Sequence, residues 1–157
     1  MVKKYIPNIV GLIVGGVRED KTEYYDSLKQ LAIQEGVEEQ IIFTGSQTKI
    51  AEVYALSDIL VNASLKMGNV ARTVTESLMM DTPVIATTFE GLNNLIEDGL
   101  NGAIIETQNV EDLAEKIKLL HDEMPKNVKE TLPYEFTLDA LVENTIKVYS
   151  TLIGKNP

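Results

Sequence analysis

The sequence contains no cysteine, no tryptophan and a single histidine. Without cysteine there is no thiol nucleophile, no disulfide framework and no zinc ribbon. One histidine excludes a His-rich metal site, and a Ser-His-Asp triad would have to use His121. Positive charge is scarce as well. The 14 Lys and Arg stand against 24 Asp and Glu, a formal net charge of −10. Nucleic-acid phosphates and anionic lipid headgroups are met by clustered cations, so this balance argues against nucleic-acid partners and against an anionic membrane surface. No apolar run approaches the roughly 18–20 residues that span a bilayer. The basic pair Lys3-Lys4 has no apolar segment behind it, so no secretory leader is predicted and a cytoplasmic location is expected.

What is present is ordinary for a globular domain: 157 residues, 44% apolar and 24% charged. That length predicts one domain over 1–157, large enough to bury a core without staples. Short apolar runs alternate with amphipathic segments. Ile9–Val14 is a continuous apolar run ended by Gly15-Gly16, as expected of a strand buried on both faces. In 21–35, Tyr24, Leu28, Leu31 and Ala32 share one helical face, and Gly36 follows as a stop. Further strands are predicted at 40–44, 58–63, 83–87 and 103–105. Helices are predicted at about 47–56 with Ser46 as N-cap, at 70–80, 91–97, 109–122 and 137–153. The stretch 124–133 reads as a polar loop or a frayed helix. On the last helix, Leu138, Leu141, Val142, Thr145, Val148, Tyr149 and Leu152 form one apolar face.

This alternation predicts the α/β class: a three-layer sandwich, with a parallel sheet of about five or six strands and helices on both faces. In such sheets ligands lie in the loops at the carboxyl ends of the strands. The loop and helix start over 66–73 is the most informative of them. Gly68, Asn69, Val70 and Ala71 are small or compact, so backbone N–H groups can approach an anion at a helix N-terminus. Lys66 and Arg72 add full positive charge, and Thr73 follows in the same turn. Such a loop suits a phosphate or diphosphate, although many strand–helix turns share these residue types. Glu76 lies one turn after Arg72. It is either half of a surface ion pair worth a few tenths of a kcal/mol, or a carboxylate that accepts a sugar's hydroxyls.

These segments, in this order, resemble the C-terminal, nucleotide-sugar-binding half of a family 4 retaining glycosyltransferase with the GT-B fold. Asn8–Gly16 is similar to the strand and glycine turn of that half. Gln40–Gly45 is similar to its "V-x-F-x-G" strand, and Ala51–Ser64 to "Y-x-x-A-D-x-x-x-x-P-S". Arg72–Thr87 is similar to "R-x-x-x-E-A-x-A-x-G-x-P-V-I-A-T", and Glu90–Gly102 to "G-G-x-x-E-x-I-x-D-G-x-x-G". The resemblance implies a Rossmann-like domain that binds a nucleoside diphosphate sugar as donor substrate, with no separate cofactor and no metal held by the protein. Glu76 matches the second glutamate of the family's donor motif and so implies a contact to the ribose. The 68–72 loop, with Lys66, is implied at the diphosphate. Gly15 and Gly16 are implied near the donor phosphates, and Gly45 near the base.

The pattern departs from the family at Gly68, where the first motif glutamate would stand, at Asp81 in place of a glycine, and at Asn94 in place of a common glutamate. The family's opening strand with "G-R" and a lysine has no counterpart. The chain is therefore expected to be an excerpt, lacking the N-terminal acceptor domain of the same polypeptide and inactive alone. Any membrane contact would come through that half. The implied reaction is transfer of a sugar, with retention, to a glycan or lipid-linked acceptor, as in lipopolysaccharide or envelope polysaccharide synthesis. A non-catalytic nucleotide or nucleotide-sugar binding module is the alternative, favoured by Gly68. A response-regulator-like or flavodoxin-like domain lacks its acidic cluster or flavin loop here. His121, Arg18 and the tyrosines Tyr24, Tyr25, Tyr54 and Tyr149 are expected to be structural or surface residues.

Overall fold

The computed structural model describes residues 1–65, 70–88 and 95–154, without the side chains of Val70 and Ala71. The chain forms two compact units, Met1–Val53 and Tyr54–Pro157. In the first, strands β1 (Gly11–Val14) and β2 (Ile41–Gly45) flank helix α1 (Thr22–Gln34) in sequence. The strands pair in parallel, with Gly11 opposite Ile41 and Val14 opposite Gly45. Gly36 ends α1 at φ +64°. Its N–H donates to the Ile33 carbonyl at 3.0 Å and that of Val37 to Ala32 at 2.9 Å, a pair of bonds that a left-handed residue after the helix makes possible.

Two expectations fail in this unit. β1 is not buried on both faces: Ile13 is 45% exposed, and Ile42 of β2 is exposed too. The side chains of α1 meet the face that carries Ile41 and Phe43, with Tyr25 edge-on to Phe43 at 5.2 Å between ring centres. Ile42 points to the other face, which nothing in this unit covers. The inward side of α1 is also rotated from the predicted one. Ala32 is buried and Leu28 half-buried, but Tyr24 and Leu31 are exposed and Tyr25 turns in.

Helix α2 (Ile50–Leu56) begins three residues later than predicted, and Ser46 is not its cap. Gly45 leaves β2 at φ +67°. The Gln47 amide then donates to the Thr44 carbonyl at 2.8 Å, which holds the segment in a non-helical turn.

The second unit is a parallel sheet of β3 (Leu60–Asn62), β4 (Val84–Thr87) and β5 (Gly102–Ile105), with β4 central. Every β4 residue is buried. Val84 and Ala86 pack with Val74 and Leu78 of α3 (Val70–Met79), together with Leu95, Ile96 and Val128. Ile85 packs on the opposite face with Ala103, Ile105 and Leu120 of α4 (Val110–Asp122). Period-2 alternation in β4 thus places a helix on each face, the three layers that the sequence predicts. Among the described residues there are five strands, the low end of the expected count, and their ladders make two sheets.

Asn109 caps α4, accepting the Asp112 N–H at 2.9 Å. Asn101 is buried, donates to the Leu95 carbonyl at 2.9 Å and to Thr131 Oγ1 at 2.7 Å, and accepts the Glu97 N–H at 2.9 Å. Of the predicted helix at 91–97, residues 91–94 lie outside the described residues, and Leu95–Glu97 are not helical. The stretch 124–133 is not merely a loop: Val128, on a 3-10 turn over Val128–Thr131, is fully buried. Its polar neighbours Asn127, Lys129 and Glu130 hide it from a periodicity reading.

Helix α5 (Leu138–Ile153) forms as predicted, capped by Thr137, but its apolar face is not covered. Leu138, Leu141, Val148, Tyr149 and Leu152 are exposed, while Ala140 is buried. No helix among the described residues is long and apolar enough to cross a membrane.

Candidate functional site

Gly15, Gly16 and Gly45 lie at strand ends, and Val70, Ala71, Arg72, Thr73 and Glu76 lie on α3. In the first unit the turns after β1 and β2 lie against each other. The Gly15 N–H donates to the Gly45 carbonyl at 3.0 Å. Gly15 sits at φ +148° and Gly45 at φ +67°. A side chain at Gly16 would place its Cβ 2.3 Å from Ser46 Oγ, so a larger residue there would require the Ser46 hydroxyl to turn away. Gly15, Gly16 and Gly45 are therefore brought together. Arg18 is an exposed partner of Asp20, at 3.0 Å.

In the second unit the end of β3 is tied to the end of β4. Thr87 Oγ1 donates to the Ser64 carbonyl at 2.8 Å, and Ser64 Oγ donates to Asn62 Oδ1 at 2.6 Å. Lys66, Gly68 and Asn69 lie outside the described residues. Val70 and Ala71 open α3, followed by Arg72, Thr73 and Glu76 on the same helix. The first turn of α3 holds no acidic residue, although a helix N-terminus ordinarily favours one. Arg72 stands there instead, against the helix dipole, and pairs with Glu76 one turn further on.

Glu76 is the best-held charged side chain in this region. Its Oε1 accepts from Arg72 Nε at 2.8 Å, and its Oε2 accepts from the Tyr54 hydroxyl at 3.0 Å. Arg72 is 78% exposed and Glu76 only 33%. The hydrogen bond and charge of Glu76 hold the Arg72 guanidinium above its usual pKa, so it stays cationic. The Tyr54 phenol is pushed up to about 12, first by burial and then by its bond to Glu76. It therefore remains a donor at any pH the protein meets.

A helical wheel puts Arg72 and Glu76 together on a surface face. The structure adds the buried partner that a wheel cannot show. Tyr54, expected only to pack, is 7% exposed and spends its hydroxyl on the carboxylate. Its separation of 22 residues from Glu76 leaves no helical spacing that links the two, although Tyr54 is the tyrosine of the motif that Ala51–Ser64 resembles. Tyr24 and Tyr149, by contrast, are exposed rather than packed. The exit of α3 is built from buried polar groups. Ser77 Oγ donates to the Thr82 carbonyl at 3.0 Å, and Thr82 Oγ1 donates to the Tyr54 carbonyl at 2.8 Å. Asp81, where the resembling pattern has glycine, takes φ +64°.

Residues 1–131 match the family described as glycosyl transferases group 1. The D-inositol 3-phosphate glycosyltransferase of Mycolicibacterium smegmatis is 25% identical over 163 residues, covering 97% of this chain and 37% of that protein. The lipopolysaccharide core biosynthesis glycosyltransferase LpsE of Rhizobium meliloti is 29% identical, covering 86% of this chain and 40% of that protein. Among solved structures, Anabaena Alr3699/HepE in complex with UDP superposes with a TM-score of 0.86 at 20% identity, over 92% of this chain and 42% of that one. The last likeness shows the fold. The chain spans well under half the length of these curated relatives.

Proposed function

The chain belongs to the glycosyl transferases group 1 family, and on that premise we propose that it is the donor-binding part of a retaining glycosyltransferase. The donor is a nucleoside diphosphate sugar. The acceptor is a glycan or a lipid-linked saccharide of the cell envelope, a reading supported by the lipopolysaccharide relative. The remaining length found in the relatives would supply the acceptor domain.

The observation that carries this reading is the Glu76 carboxylate, fixed on α3 by Arg72 and Tyr54. A carboxylate accepts hydrogen bonds only, so it suits a vicinal diol such as that of ribose. One turn earlier, the first N–H groups of α3 and the Arg72 charge would meet the diphosphate, with Lys66, Gly68, Asn69, Val70, Ala71 and Thr73 around it. Neutralising the departing diphosphate lowers the barrier, because that is where negative charge develops during transfer. Gly15, Gly16 and Gly45 would offer backbone to the phosphates and the base. UDP is the natural first probe, since it is bound in the solved relative.

UDP titrated into the labelled chain is expected to shift amide resonances over 70–76, and Glu76→Ala to weaken binding about tenfold, the scale of one or two hydrogen bonds to a charged group. Unchanged resonances at millimolar UDP would sink the reading. The non-catalytic alternative rests on Gly68 in place of the first motif glutamate. It is distinguished by the parent polypeptide binding UDP-sugar without turning it over.

A further inference from the structure

We propose that Tyr54 is the positioning residue of the ribose carboxylate: its hydroxyl fixes the rotamer in which Glu76 presents its free acceptor sites to the nucleotide. The proposal rests on the donor-site reading of Glu76 and adds a residue to it.

Three features point to this role. The first is rigidity. A glutamate side chain has three rotatable bonds, and holding its carboxylate in one place costs rotamer entropy. Arg72 cannot supply that order alone, because it is itself a long, 78% exposed side chain. Tyr54 has a stiff ring and is 7% exposed.

The second is anchorage at both ends. The Tyr54 hydroxyl reaches Glu76 Oε2 at 3.0 Å, while the Tyr54 carbonyl accepts Thr82 Oγ1 at 2.8 Å. Glu76 lies within α3 and Thr82 just past its end, and the Thr82 carbonyl is itself held by Ser77 Oγ at 3.0 Å. The tyrosine therefore clamps the middle of α3 to its exit. A shift of the ring away from Glu76 breaks the partly buried hydroxyl–carboxylate bond, while the backbone that carries the ring stays held by Thr82.

The third is capacity. A carboxylate offers about four lone-pair sites. Among the described residues, Tyr54 and Arg72 occupy one on each oxygen, which leaves one on each for a pair of adjacent hydroxyls. The phenol, pushed up to about 12, stays a donor to the carboxylate.

The test compares UDP with 2′,3′-dideoxy-UDP in the 157-residue chain and in Tyr54→Phe, which removes one oxygen. The unmodified chain should bind UDP about tenfold more tightly than the dideoxy nucleotide. Tyr54→Phe should lose roughly three- to tenfold in UDP affinity and almost nothing for dideoxy-UDP, because only the ribose hydroxyls read the carboxylate's position. Equal losses for both ligands would mean a merely structural tyrosine, and no loss for either would also overturn the proposal. An unmodified chain that binds both nucleotides equally would overturn the ribose reading of Glu76 and the positioning role with it. Should the Phe variant fail to fold, 3,5-difluorotyrosine at position 54 keeps the shape and acidifies the phenol. Its UDP affinity, and not its dideoxy-UDP affinity, should then fall as pH is raised through ionisation of the phenol. A flat profile would overturn the proposal.

Discussion

Oδ1 of Asp81 accepts a hydrogen bond from the backbone N–H of Lys129 at 3.1 Å, joining positions 48 residues apart. Asp81 leaves α3 in the left-handed conformation, at φ +64°. A β-carbon there costs about 1–2 kcal/mol in most residues, and Asp relieves part of it through its short polar side chain. The bond to Lys129 offsets more. Asp81→Gly removes the strain together with the bond and is expected to stay within about 1 kcal/mol of the unmodified chain in urea unfolding. Asp81→Val keeps the strain, loses the bond and should cost about 2 kcal/mol or more. Equal stability of the Gly and Val variants would refute this account.

Gly102 is a different kind of glycine. Its backbone is unstrained, but a Cβ there would lie 2.0 Å from the Val84 carbonyl oxygen on the central strand. Backbone of a sheet cannot yield as a side chain can, so Gly102→Ala should force β4 and β5 apart. The expected loss is about 3 kcal/mol or more, at the upper end of overpacking costs. Gly99→Ala serves as the contrast. Gly99 has φ +79° and nothing within 4 Å of the added carbon, so about 1 kcal/mol is expected. Chemical denaturation of both variants decides between crowding and backbone conformation.

Asp98 ties the start of β5 to α4. It accepts the Ile104 N–H at 2.9 Å and pairs with Lys116 at 2.8 Å. Burial alone would raise the Asp98 pKa, but the Lys116 hydrogen bond and the Ile104 amide outweigh it and hold the carboxyl below its usual value. A depressed folded-state pKa contributes stability that is present above the unfolded value, near 3.9 for Asp, and is lost as pH falls through the folded one. Asp98→Asn should therefore be less stable than the unmodified chain at pH 7, by about 0.5 kcal/mol given the exposure of the pair. The gap should close as pH falls below about 4. A gap that persists unchanged at pH 2 would show that charge is not its source.

The strands of the second unit and the α3 helix were legible because pattern and structure coincide there. Pro83 to Thr87 is a short apolar run that packs on both faces, and Val74 and Leu78 fall at helical spacing toward it. Legibility failed where burial depends on what covers a face. The apolar strands of the first unit and the apolar stripe of α5 have the composition of buried segments, yet Ile42, Leu141 and Leu152 are exposed in this chain. Val128 fails in the opposite direction, being a single core residue inside a polar segment.

The candidate site shows the same division. Glu76 was found through its place in a motif, and its partner Arg72 through i,i+4 spacing. Tyr54 and Thr82 come from other elements, and only folding brings them to α3. Sequence spacing carries information within one helix or strand. A hydrogen bond between elements has no period.

The first turn of α3, with Arg72 present and no carboxylate, has an energetic consequence of its own. A helix shaped for stability alone would reverse that charge, and the difference is worth about 0.3–1 kcal/mol at an exposed terminus. On the proposed donor-site reading, an anion seated at that turn would restore what the sequence omits. Occupancy and folding are then thermodynamically linked. At a ligand concentration one hundred times its dissociation constant, the folded chain would gain about 2.7 kcal/mol over the unfolded one. The bound donor would act as a missing piece of the helix, and the empty domain would be the looser of its two states.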